Sequence, residues 1–128
     1  MSQDAMKFLT ASAALAALFL AAGAAQAQSV RVRCDSFPDR SRASVDGRDL
    51  APGQYRAVLA SGDHTSESPF DSAVDHEVEF DFDSDRADVR AGATKIGRHF
   101  IVDDRATGTL LDVNGNVVAT KTVNCRAH

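Results

Sequence analysis

Carboxylates crowd one stretch of the chain, where Asp81-Phe82-Asp83-Ser84-Asp85 sets three of them at alternate positions. Oxygen ligands so spaced could hold a hard divalent cation such as calcium, which makes Asp81, Asp83 and Asp85 the candidate metal ligands. The EF-hand pattern fails, however: its sixth position requires glycine and Arg86 stands there, and its twelfth requires glutamate and Gly92 stands there. A second chemistry uses the same run. Glu77, Glu79, Asp81 and Asp83 alternate with apolar residues and would present one acidic face, able to meet a basic protein surface in the cell envelope. The same charges could instead pair with Arg31 and Arg33 across strands, or keep sheet edges apart.

Other reactive side chains are weaker candidates. His64, His76, His99 and His128 share no metal-ligand spacing. No Gly-x-Ser-x-Gly elbow occurs, and Gly92-Ala93-Thr94-Lys95-Ile96-Gly97-Arg98-His99 lacks the Gly-Lys-Ser/Thr ending of a phosphate loop. Paired carboxylates such as Asp103-Asp104, or Asp81 and Asp83, are of a type that does acid/base work, but proximity in sequence says nothing about the raised pKa such work requires. The chain therefore reads as a non-enzyme without a cofactor, a small envelope hydrolase being the third-ranked function class behind binding and calcium binding. Cys34 and Cys125 are the only cysteines and lie near the two ends of the expected domain, so they read as one disulfide. That bond would withdraw both thiols from catalysis and from metal binding.

The elements that must position these residues are strands. His76-Glu77-Val78-Glu79-Phe80-Asp81-Phe82-Asp83 is the clearest, with Val78, Phe80 and Phe82 on one face and the carboxylates on the other. Val30-Arg31-Val32-Arg33-Cys34 alternates in the same way, with its cysteine facing inward. Arg42-Ala43-Ser44-Val45 is a shorter candidate closed by a turn at Asp46-Gly47, and Gln54 to Ser61 is a strand ended by Gly62-Asp63. Asp63 to Asp75 is polar, carries a proline and reads mostly as the longest loop, with an edge strand in part of it. Ser84 resembles an N-cap for a short helical turn through Val89, stopped near Gly92. Lys95 to Val102 is a further strand candidate. Thr107 to Val113 and Asn116 to Cys125 flank Asn114-Gly115, a strong hairpin signal.

Seven or eight short strands with frequent turns predict an all-β domain, either an antiparallel sandwich of immunoglobulin-like kind or a small barrel, with one short helical turn and one disulfide joining the terminal strands. Leu50-Ala51-Pro52-Gly53-Gln54-Tyr55 is similar to the L-x-P-G-x-Y turn-and-strand of immunoglobulin-like and carboxypeptidase-regulatory-type sandwich modules. The resemblance covers about six residues of the 128. It implies a sandwich used for binding or spacing, with no active site; an end-to-end disulfide is not part of those modules' usual pattern.

Ahead of the domain, Lys7 precedes the apolar stretch from Phe8 to about Ala25, which ends in Ala25-Gln26-Ala27, the small-x-small pattern cut by signal peptidase. Residues 1–27 thus read as a cleaved secretory signal, with translation starting at Met1 or Met6, and residues 28–128 as a single domain. About 100 residues suffice for one hydrophobic core. No membrane anchor is expected after cleavage, because Cys34 lies too far from the cleavage point to carry a lipid. The expected location is the bacterial periplasm or the exterior. The net charge of −4 shows no basic surplus to favour nucleic acid. Without tryptophan and with Tyr55 as the one tyrosine, the chain has little from which to build a stacking platform.

Overall fold

The computed structural model of the chain describes residues 27–128, so the expected leader and the choice of start residue lie outside the described residues. Strand β1 (Ser29–Phe37) turns at Pro38-Asp39 into β2 (Arg40–Arg48). The chain continues through β3 (Gln54–Ser61), β4 (His64–Glu67), β5 (Asp71–Ser72), β6 (Val78–Asp83), helix α1 (Arg86–Arg90) and β7 (Thr94–Lys95). It finishes with β8 (Arg105–Asp112), β9 (Val117–Asn124) and β10 (Arg126–Ala127).

Two sheets form. One has the order β10-β1-β2-β6-β7, and the other has β4-β3-β8-β9 with β5 also on β3. They stack as a sandwich and do not close into the alternative small barrel. Period-two alternation explains the stacking: Val30, Val32 and Cys34 of β1, Ala43 and Val45 of β2 and Val78, Phe80 and Phe82 of β6 all turn inward. Tyr55, Ala57, Leu59, Ala106 and Leu110 meet them from the second sheet, and Leu50, Ile96 and Phe100 fill the ends from connecting segments.

Two glycines leave room for side chains of the opposite sheet. A Cβ on Gly108 would lie 2.6 Å from Val32 Cγ2 and 2.9 Å from Val45 Cγ2. One on Gly47 would lie 2.7 Å from Leu110 Cδ2. Gly47 is therefore required inside a strand, and the expected turn at Asp46-Gly47 does not exist: both residues continue β2 in register with β1 and β6. Close packing of the sheets, not turn chemistry, selects glycine at this position.

Two other expectations are corrected, and the Asp63 to Asp75 segment keeps the edge-strand portion expected of it. The Lys95 to Val102 segment is not a strand beyond Lys95; Ile96 and Phe100 are buried from an irregular loop, which explains their apolar character without any ladder. The helix is capped at Asp85, with no side-chain cap, because Ser84 Oγ instead accepts a hydrogen bond from Ser41 N–H at 3.0 Å. The Asp63 to Asp75 segment is partly strand, β4 and β5 lying along the outer side of β3. The Leu50 to Tyr55 motif does lead into β3, and Tyr55 Oη donates to the Ala51 carbonyl at 2.7 Å, pinning the turn to the core.

Cys34 and Cys125 are bonded, with Cα atoms 4.7 Å apart. Cys125 stands where the chain leaves β9 in the second sheet and enters β10, which pairs in parallel with Asp35 and Ser36 of β1. The bond thus ties the two sheets together at the point where the last strands cross from one to the other.

Candidate functional site: the charged outer face of the first sheet

Strand register arranges the outward side chains of β1, β2 and β6 in rows. Arg31 stands opposite Asp46, and Asp46 opposite Glu79; Arg33, Ser44 and Asp81 form the next row, and Asp35, Arg42 and Asp83 the third. A groove of about 970 Å³ is lined by residues of this face, Arg33, Arg42 and Asp81 among them, and also by Pro69, Phe70 and Thr94.

The third row is internally neutralised. Arg42 Nε donates to Asp35 Oδ2 at 3.0 Å, and His128 Nε2 lies 2.9 Å from Asp35 Oδ1. Arg40, one pair further along β2, donates to both oxygens of Asp83, at 3.0 and 2.7 Å, and to Asp88 of α1 at 2.8 Å. Burial alone would raise the Asp83 carboxyl. The Arg40 bonds and charge, with the Asp85 N–H at 2.9 Å, outweigh it and hold Asp83 below the usual carboxylate range. This fork-to-fork pair locks β2, β6 and α1 together.

Asp83 was expected among the exposed interaction carboxylates and is not one: it is 5% exposed and engaged by Arg40. Its side chain lies on the outer face as alternation requires, but α1 and Arg40 fold over it. For the same reason Asp81, Asp83 and Asp85 do not form a calcium cage. Among the described residues no group of three or more His, Cys, Asp or Glu side chains is gathered as metal ligands. His64 Nδ1 lies 2.8 Å from the Phe100 carbonyl and His76 Nδ1 2.9 Å from the Leu50 carbonyl, so each tethers its own loop.

The first two rows are different. Glu79 and Asp81 are exposed on β6, Glu77 is exposed just before it, and none of the three has an ion-pair partner among the described residues. Asp46, between the arginines and these carboxylates, is mostly buried; Arg33 Nη2 is 3.8 Å from its Oδ2, and its Oδ1 has no hydrogen-bond partner. Burial, then the negative charge of Glu79, push the Asp46 carboxyl above the usual range; Asp81 adds to this, and Arg33 and Arg31 offset part of it. Arg31 and Arg33 do not reach β6, because β2 stands between.

Comparison with protein-family models, curated proteins and solved structures gave no match. The site must be read from its own chemistry. Sequence inspection found Glu77, Glu79 and Asp81 but missed Asp46, which was assigned to a turn. The alternation Arg42, Ser44, Asp46 would have placed it outward beside Glu79. It also missed Arg40, whose pairing with Asp83 depends on the long-range register of β2 against β6, which single-strand periodicity does not encode.

Proposed function

We propose that this protein is an exported binding protein that takes up cationic partners along the acidic margin formed by Glu77, Glu79 and Asp81. One observation carries the reading: these carboxylates are exposed and, among the described residues, without an ion-pair partner, and Glu79 and Asp81 stand near an Asp46 whose carboxyl burial and their charge push upward. Arg31 and Arg33 on β1 offset only part of this charge, and the carboxylates on the β6 side are left to attract an arginine- or lysine-bearing surface. Export is supported by the Cys34–Cys125 disulfide, with no free cysteine among the described residues, and by the small-x-small pattern ending at Ala27. The proposed compartment is the bacterial periplasm or the exterior. No catalytic step and no cofactor are part of the proposal.

The test is capture from an envelope extract by the oxidised 28–128 domain, beside a Glu79→Lys/Asp81→Lys variant. Basic proteins held by the parent at low salt should be lost from the variant. If both retain the same set, the acidic margin serves only solvation.

A further inference from the structure

Strand β6 is an incompletely covered edge. On one side it pairs with β2 along its whole length, from Val78 to Asp83. On the other, β7 pairs only with Phe82 and Asp83. Among the described residues, nothing pairs with Val78–Asp81 on that side. An edge strand with unpaired N–H and C=O groups is a template for another strand.

A segment attached to the second sheet lines the groove beside this edge. Ser68 N–H donates to the Ala57 carbonyl at 2.9 Å and Ser68 Oγ accepts from Ala57 N–H at 2.8 Å, so the segment before β5 runs along the outer side of β3. It places Pro69, Phe70 and Asp71 in the same groove as Glu79 and Asp81. Phe70 is 40% exposed, with the Arg56 guanidinium 4.1 Å from its ring centre. A strand laid beside Val78–Asp81 would therefore turn alternate side chains toward two different surfaces. Outward residues would meet Glu79 and Asp81, and inward residues would meet Pro69 and Phe70.

We propose that the partner of the acidic margin is an extended segment in which basic and apolar residues alternate, docking by strand addition along Val78–Asp81 in line with β7. Main-chain hydrogen bonds would supply affinity and the two surfaces would read the alternation. The inference rests on the acidic-margin reading and specifies what that margin binds. The chain's own Val30-Arg31-Val32-Arg33 has the same alternation, so a second copy is a competing occupant that the experiment must separate.

The probe is a fluorescent, end-blocked peptide of sequence VRVRVR, titrated with the oxidised domain by anisotropy. Companion peptides are VEVEVE and two VRVRVR analogues N-methylated at either the valines or the arginines. Saturable binding of VRVRVR, at least tenfold weaker for VEVEVE and for at least one N-methyl analogue, is expected. Binding should fall at least tenfold with Glu79→Lys/Asp81→Lys and severalfold with Phe70→Ala, both variants melting like the parent. If both N-methyl analogues bind as well as VRVRVR, strand addition is refuted while the acidic-margin reading stands. If charge reversal leaves binding unchanged, both fail. Failure of the peptide to bind, together with concentration-dependent self-association abolished by Arg31→Glu/Arg33→Glu, would overturn the inference in favour of a second copy.

Discussion

Removing the disulfide is the perturbation whose magnitude can be worked most directly. Cys34 and Cys125 are 91 residues apart in sequence, and closing a loop of that length removes about 4–5 kcal/mol of unfolded-state entropy in the chain-entropy model. A domain of this size has a net stability of about 5–15 kcal/mol, so the bond accounts for about a quarter of it or more. The Cys34→Ala/Cys125→Ala double variant removes the bond without leaving a thiol to form wrong pairs. Urea unfolding of the double variant should show about 3–5 kcal/mol lost, with a Tm lower by on the order of 20 °C. The denaturant slope should also rise, because the unfolded chain is no longer cross-linked and exposes more surface. The slope identifies the mechanism. If the bond acted by holding β10 on β1 in the native state, the slope would stay constant and the loss would be small, since that pairing involves only Asp35, Ser36, Arg126 and Ala127. A loss below about 1 kcal/mol with an unchanged slope refutes the entropic account.

Two further outcomes follow from packing and charge. Gly108→Ala should destabilise the domain by about 1–3 kcal/mol, read by chemical denaturation, because its Cβ would press on Val32 and on fully buried Val45; a neutral result would mean that the sheets can separate at little cost. Asp83 and Asp46 should give opposite pH responses. The folded-state pKa of Asp83 is depressed, so its contribution is present above the unfolded carboxylate range and lost as pH falls through the folded value. Asp83→Asn should cost about 1–3 kcal/mol at pH 7, part-exposed Arg40 keeping the loss below that of a fully buried pair, and should flatten the acid limb of the stability curve. The Asp46 pKa is raised, so ionisation costs stability at neutral pH, and Asp46→Asn should leave the domain as stable or more so at pH 7, the difference vanishing in acid. Identical pH profiles for the two variants would contradict the charge assignment.

Strand identity was legible wherever one face meets the core and the other meets water. Alternation in Val30 to Cys34 and in Val78 to Phe82 specified both strands and their buried sides, and Asn114-Gly115 located the last hairpin. Position in a strand was less legible where a residue answers to a neighbouring strand. Gly47 resembles a turn glycine, but Leu110 of the opposite sheet requires it; Ile96 and Phe100 resemble strand residues, but they plug the sandwich from a loop. The acidic site divides in the same way. Glu77, Glu79 and Asp81 followed from period two alone, whereas the burial of Asp83 depended on the long-range pairing of β2 with β6, which brings Arg40 beside it from 43 residues away in sequence.

Charges on this sheet separate according to what borders them. Asp35 and Asp83 stand in the row flanked by β10 and β7, and both are bound by arginines. Glu79 and Asp81 stand where the edge of β6 is open, and among the described residues neither has an ion-pair partner. If the charges served only to prevent association, like signs facing each other across a symmetric contact would suffice, and the open edge of β6 does carry one sign only. That explanation needs no groove. Yet the second sheet supplies Phe70 beside the same edge, an exposed aromatic that an added strand would cover. Repulsion between copies and attraction of a basic strand are compatible, since one row of carboxylates disfavours its own kind and selects the opposite. The combination of an unpaired edge, acidic outward positions and an apolar inward wall therefore argues for selective strand addition over simple protection.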